Sequence, residues 1–217
     1  MKFKWWGHAA FSITLADGTV ILTDPYGEDF GYKQIDIEPD IVTISHDHFD
    51  HNGSDSLPGD YKIINSVDKY ENDNIVIKGI PTFHDQSQGS ERGENIIFKM
   101  QLEDKIVTHT GDLGHELKEE KIDLLADTDI LLVPVGGTYT IDGNKAYNLV
   151  QDIEPTVVFP MHYKTDKIEL PIMGVESFTN NYNEDEKENI IRRIKKSEVE
   201  IMDLPLELNV YILDYVS

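Results

Sequence analysis

Between Thr43 and Asn52 the chain reads TISHDHFDHN, which places His46, His48, Asp50 and His51 within six positions and uses three of the eight histidines. Packing alone gains little from three imidazoles, and each needs a hydrogen-bond partner if buried. A polar surface turn is the plainer reading. The chemistry that uses such a cluster is metal ligation, because neutral imidazoles and carboxylates are donors for zinc, manganese or iron. The chain has no cysteine, so a zinc or iron site here must be built from His and carboxylate alone.

Three more residues of the same kind follow apolar runs. IPTFHD delivers His84, KIVTHTGD delivers Asp112 and TVVFPMH delivers His162. Together these make five His and two Asp, enough for two adjacent ions that share a carboxylate. Asp24, in ILTDPY, ends a run in the same way and could orient a ligand imidazole or serve only as an Asp-Pro turn residue. His8 reads either as a substrate contact or proton donor, or as a satisfied core histidine. His115, just past Asp112 in GDLGH, reads as a proton relay or a structural cap, and His109 as packing or as a support behind the ligands. Arg92, in GSERGEN, is the candidate anion anchor, since guanidinium suits carboxylate or phosphate. Thr140 and Asp142 follow a strand end and could line the pocket.

These residues need rigid elements behind them. KFKWW, AFSITL and TVILTDP read as short strands, with ADG as a hairpin turn between the last two. DIVTIS is a buried-strand run that ends at the histidine cluster, and YKIIN, NIVIKGI, NIIFKMQL and KIVTHTGD continue the pattern, with a hairpin at LEDK. DILLVPVGG and TVVFPMHY are further buried strands, separated by the helical period of NKAYNLVQDIEP. NEDEKENIIRRIKKS also reads as a helix, with Ile190, Ile191 and Ile194 on one face, and ELNVYILDYV closes as a strand. Two strand-rich halves carrying helices predict an α/β layered sandwich, and no linker or repeat divides residues 1–217 into more than one domain.

At this point the motifs resemble the metallo-β-lactamase superfamily: H-x-H-x-D-H, a later lone His, G-D after a strand, and a final His stand in family order. WWGHAAF, GSERGEN, GDLGH, PVGGTYTID and PMHYKT are similar to a branch of bacterial and archaeal metal-dependent hydrolases related to the ascorbate-6-phosphate lactonases. The resemblance implies an αββα sandwich of two mixed sheets, with the metals at one edge. It implies two divalent ions, zinc by first choice and manganese or iron as alternatives. His46, His48 and His84 would hold the first, Asp50, His51 and His162 the second, and Asp112 would bridge them. Asp50 would also help orient an activated water, with His115 as proton relay and Arg92, His8 and Thr140 toward the substrate.

The function implied is hydrolysis of a small ester, lactone or phosphoester by hydroxide generated between two metals. A nuclease or phosphodiesterase is the alternative, followed by a di-iron redox protein and by a non-catalytic binding scaffold. The formal net charge of -22 argues against unaided binding of nucleic acid or anionic membrane, and IRRIKK is the one basic run. The expected partner is a small molecule, anionic if Arg92 anchors it, and a homo-oligomer stays open. No apolar run reaches the ~20 residues of a membrane helix, nor does the start carry a secretory cleavage pattern, so the expected location is cytoplasmic.

Overall fold

Phe3 and Trp5 join the main core while their neighbour Trp6 joins a second, smaller apolar cluster. That alternation is the period of two expected of a strand with both faces covered. It continues through Phe11 and Ile13 against Ala10, Ile21 against Leu22, and Ile41 against Val42. The computed structural model describes all residues from Met1 to Ser217.

The strands in chain order are β1 Lys2–Gly7, β2 Ala10–Thr14, β3 Val20–Thr23, β4 Ile41–Thr43, β5 Lys62–Ile64, β6 Lys69–Glu71 and β7 Ile75–Phe83. They continue with β8 Glu94–Leu102, β9 Lys105–His109, β10 Ile130–Pro134, β11 Val157–Met161, β12 Ile191–Ile194, β13 Glu198–Glu200 and β14 Asn209–Leu213. One sheet has the order β13-β1-β2-β3-β4-β5, and the other β12-β14-β11-β10-β9-β8-β7-β6. Both are mixed: β3, β4 and β5 run parallel after an antiparallel start, and the parallel block from β12 to β9 gives way to the antiparallel β8, β7 and β6. The sheets pack face to face through aromatic side chains. The Phe159 ring of β11 stacks 5.0 Å from Phe3 of β1 and sits 5.8 Å from Phe11 of β2. The hairpins expected at ADG and LEDK join β2 to β3 and β8 to β9.

Helices are few. They are α1 Glu119–Asp123, α2 Gly143–Ile153, α3 Glu176–Thr179 and α4 Glu184–Ile190. The longest, α2, buries Ala146, Leu149, Val150 and Ile153, the one-face spacing of an amphipathic helix. Its N-cap is Asp142, whose carboxylate accepts from the Lys145 N–H at 2.9 Å, so Asp142 starts a helix rather than lining a pocket.

The segment NEDEKENIIRRIKKS departs from the single helix its period predicts. Asn183 and Glu186 form a capping box that starts α4, but the helix stops at Ile190. Ile191–Ile194 then becomes β12 and pairs in parallel with β14, Ile191 opposite Val210 and Ile194 opposite Leu213. A β14 edge without β12 would leave a row of backbone groups unpaired, and the β-branched isoleucines suit a strand. No helix is long and apolar enough to cross a membrane.

The arrangement positions the site by its strand ends. β3, β4, β7, β9 and β11 terminate just before Asp24, the Ser45–His51 segment, His84, Asp112 and His162 respectively.

Candidate metal centre

Asp112 stands where the two sheets' strand ends meet. Its Oδ2 lies 3.1 Å from His84 Nε2 and 3.1 Å from His162 Nε2, and its Oδ1 lies 3.2 Å from His51 Nε2. His46 Nε2 is 4.0 Å from Oδ2. His46 Nε2, His51 Nε2 and Asp112 Oδ1 are all buried, yet none makes a hydrogen bond. Buried polar atoms are seldom left this way, and lone pairs that converge without pairing fit a cation. The donor atoms of His46, His48 and His84 lie within 4.8 Å of one another, as do those of His8, Asp50, His51 and His162. The expected ligands thus lie close together around Asp112, with His8 beside Asp50, His51 and His162, while a third group of Asp24, His46 and His51 overlaps the other two.

Each side chain is held by a specific neighbour. Asp24 Oδ2 accepts from His51 Nδ1 at 2.9 Å and from Ser45 Oγ at 2.5 Å, and its Oδ1 accepts from the Ser45 N–H at 2.8 Å. Ser45 Oγ in turn lies 2.9 Å from His46 Nδ1. The Tyr139 carbonyl lies 3.0 Å from His84 Nδ1 and accepts its proton, leaving Nε2 as the donor atom. Asn95 Oδ1 accepts from the Asp112 N–H at 2.9 Å. The residue before Asp112 must be glycine: at Gly111, φ is +55° and a Cβ would meet Asn95 Oδ1 at 2.4 Å. His8, Asp24 and His162 are non-glycine residues with φ of 53°, 40° and 50°. Left-handed backbone of this kind costs about 1–3 kcal/mol per residue and collects at functional sites.

The charges follow from the same contacts. Burial works to raise the Asp112 carboxyl, but His162 and His51 outweigh it and hold it well below the usual range. Burial works against a charged His51, yet Asp112 and Asp24 raise it well above an ordinary histidine. Two carboxylates that face His51 from its two ring nitrogens thus favour positive charge at this point of the site. His46 is lowered to about 3 by burial and by His51, and His8 to about 3 by burial and by His162. Both are neutral imidazoles near neutral pH. Burial acts to raise Asp50, and the His8 hydrogen bond and the His51 charge overcome it, so Asp50 stays ionised.

The donors open onto a cleft of about 330 Å³, reached by His48, Asp50, His84, Asp112 and His162. Arg92 and the apolar side chains of Phe49, Tyr139 and Leu170 form its walls. The Arg92 guanidinium lies over the Tyr139 ring, 5.4 Å from its centroid. The loop that carries Arg92 is organised by Asp85, whose carboxylate accepts four backbone N–H groups, from Ser87, Gly89, Glu91 and Arg92, at 2.7 to 3.0 Å. Those bonds lower the Asp85 carboxyl to about 2 against the upward push of desolvation.

Three expectations need correction. His8 is sealed from solvent rather than facing a substrate: its Nε2 meets Asp50 Oδ2 at 3.2 Å and its ring lies 3.9 Å from that of His162. His115 lines a different cleft, with Leu113 and Lys145. Gly114 lies against the His84 backbone, and His115 Nε2 accepts from the Phe83 N–H while its Nδ1 lies 2.9 Å from the Glu116 carbonyl. Thr140 is buried and gives its hydroxyl proton to the Ile141 carbonyl, while its neighbour Tyr139 faces the cleft. Sequence reasoning missed Ser45, Phe49, Asp85, Asn95 and Tyr139. Ser45 and Phe49 adjoin ligands in the chain and Asp85 follows His84 directly, which was the available signal; Asn95 and Tyr139 act through folded contacts.

Comparison with known proteins bears on the whole arrangement. The family model described as a beta-lactamase superfamily domain matches residues 2–162. A UPF0173 metal-dependent hydrolase of Methanopyrus kandleri is 31% identical over 197 residues, covering 76% of this chain and 85% of that protein. One from Thermoplasma acidophilum is 29% identical over 191 residues, covering 76% and 84%. Among solved structures, a metallo-β-lactamase superfamily protein of Thermotoga maritima superposes with a TM-score of 0.81 at 31% identity, over 99% of both chains.

Proposed function

Since this chain belongs to the metallo-β-lactamase superfamily, we propose that it is a metal-dependent hydrolase that holds two divalent ions, zinc by first choice, and cleaves a small ester, lactone or phosphoester. The observation that carries the reading is the position of Asp112, one carboxylate within 3.2 Å of imidazole nitrogens from His51, His84 and His162. One carboxylate shared by three ligand histidines suits two neighbouring ions better than one.

His46, His48 and His84 would hold the first ion, Asp50, His51 and His162 the second, with Asp112 between them. Ions held there supply Lewis-acid polarisation of the scissile oxygen and make water acidic enough to react near neutral pH. The rest belongs to the chain. Asp24, Ser45 and the Tyr139 carbonyl fix three ligand rings. Asp50, kept ionised, accepts a hydrogen bond from the attacking water and so aims its lone pair at the substrate. Arg92 binds an anionic part of the substrate at the cleft wall. In the overall reaction one water adds across the bond: an ester gives a carboxylic acid and an alcohol, a lactone a single hydroxy acid, and a phosphodiester a phosphate monoester and an alcohol. The net charge of -22 disfavours a nuclease, because a polyphosphate chain would meet a field of its own sign.

The test is elemental analysis of the purified protein, with a panel of lactones, carboxylic esters, phosphodiesters and thioesters. Close to two ions per chain and turnover that chelation abolishes are expected. One ion with full turnover would remove the two-metal reading, and no turnover by fully loaded protein across the panel would remove the substrate class.

A further inference from the structure

Phe49 stands between two ligands in the chain and yet is 70% exposed. It is not loose: the Phe30 ring meets it edge-on at 5.7 Å, and Phe30 itself packs on His8 at 4.7 Å. A large apolar side chain has thus been fixed at the rim of the metal cleft and left uncovered. Across the same cleft stand the Tyr139 ring and Leu170, both only partly buried. Arg92 is the one cationic side chain in the lining. Its guanidinium rests on the Tyr139 ring, and its ion pair is a loose 3.9 Å contact with Glu91, whose side chain is 60% exposed. A guanidinium with spare donors beside three apolar walls matches a ligand that carries one anionic group on an apolar body.

We propose that the cleft selects an amphiphilic anion: a molecule with a short acyl or aryl body lying between Phe49, Tyr139 and Leu170, and a carboxylate or phosphate group paired with Arg92. This deepens the hydrolase reading and rests on it for the reaction, but not for the binding. The volume of about 330 Å³ is at the low end of the ~300–1,000 Å³ of small-molecule sites. A body of roughly four to eight carbons is the scale that fits. The two outer walls come from separate segments, Phe49 from the metal loop after β4 and Leu170 from the stretch after β11, so either can be altered while the other stays.

The test is calorimetric titration of the zinc-loaded protein with straight-chain carboxylates from acetate to octanoate, the matching alkyl phosphates, and the uncharged carboxamides. Affinity should rise about fourfold for each added methylene until the cleft is filled, a fold-change set by burial of the chain. Phe49→Ser and Leu170→Ser should each flatten that rise while leaving acetate affinity and zinc content unchanged. If Phe49→Ser loses zinc, Leu170→Ser carries the comparison alone. Arg92→Gln should weaken all members of the preferred anion series by about tenfold or more and leave the carboxamides untouched, and whichever series shows the larger loss identifies the anion. Equal affinity for acetate and hexanoate, no measurable binding of any anion, or a chain-length series unmoved by either wall variant would overturn the proposal. A flat series in a protein that hydrolyses its panel rejects the amphiphile alone; a rising series in a protein that hydrolyses nothing rejects the reaction alone.

Discussion

His8 Nε2 lies 3.2 Å from Asp50 Oδ2, and His8 has no solvent exposure at all. The turn between β1 and β2 thereby reaches into the far side of the histidine-rich loop and holds the carboxylate that faces the cleft. The His8 carbonyl is engaged as well, accepting from the Trp5 indole at 3.1 Å and from the His162 N–H at 3.1 Å. One residue of the first hairpin therefore braces two of the ligands assigned to the second ion.

His8→Ala should accordingly lower the affinity of the second ion by about 10–100-fold, the usual effect of removing a group that orients a metal ligand. The first ion should change little. Competitive chelator titration, with circular dichroism to monitor folding, reads both. Equal weakening at the two ions would reduce His8 to general packing.

Replacing Asp112 with Asn keeps the shape and removes the shared charge. Both ions should weaken together in Asp112→Asn, whereas His84→Ala should mainly empty the first site and His162→Ala mainly the second. Metal stoichiometry in the three proteins decides; two ions retained by Asp112→Asn would end the bridging assignment.

Asp24→Ala orphans the Ser45 N–H, the Ser45 hydroxyl and His51 Nδ1, all in a buried setting. Each orphaned buried donor costs about 1–3 kcal/mol, so the metal-free protein itself should be destabilised. Urea unfolding in the presence of chelator measures this apart from any loss of ions, and an unchanged midpoint would contradict it.

Asp85 gives the pH dependence. Its folded value is about 2, below the ~3.9 of an unfolded aspartate, so the native state binds fewer protons. The stability it contributes is present in full above about pH 4 and fades as pH falls toward 2. Asp85→Asn should therefore lower stability near neutral pH and show a shallower acid loss than the parent. Parallel slopes between pH 4 and pH 2 would count against a role for its charge.

Removing the ions should lower the unfolding temperature, because a ligand present at 100 times its Kd adds about 2.7 kcal/mol to the native state. Calorimetry with and without chelator, followed by zinc add-back, is the measurement. An unfolding temperature indifferent to both would show that no ion is bound tightly.

The fold was legible wherever one period ran unbroken. The two-residue alternation from Phe3 to Leu22 and the solid apolar runs at Ile130–Pro134 and Val157–Met161 become strands as they read. It was least legible at Ile191–Ile194, where a helical spacing and a β-branched run overlap and the vacant edge of β14 decides between them. At the site, ligand types and strand ends could be read because the donors come singly or as one cluster shortly after apolar runs. The supports could not. Tyr139 serves His84 through a carbonyl, which any residue type would supply, and Asn95 reaches Asp112 only after β8 and β9 have paired. His115 was misjudged because nearness in the chain stood in for contact: its ring is engaged by the Phe83 N–H and the Glu116 carbonyl and lines a different cleft.

His46, His48 and His51 follow β4 in one sheet, while His84, Asp112 and His162 follow β7, β9 and β11 in the other. An ion clasped by His46 and His84, or by His51 and His162, is thus a crosslink between the two layers and closes a long loop of chain. In a sequence without cysteine it would take the place of a disulfide, with the stabilisation that closing a long loop brings. Unlike a disulfide, such a fastening would have no bond for a thiol to reduce, although thiols would compete with the histidines for the ion. It would yield to acid and to competing chelators, so metal supply would add to, or take from, the closure that the shared apolar core already gives the two halves of the sandwich.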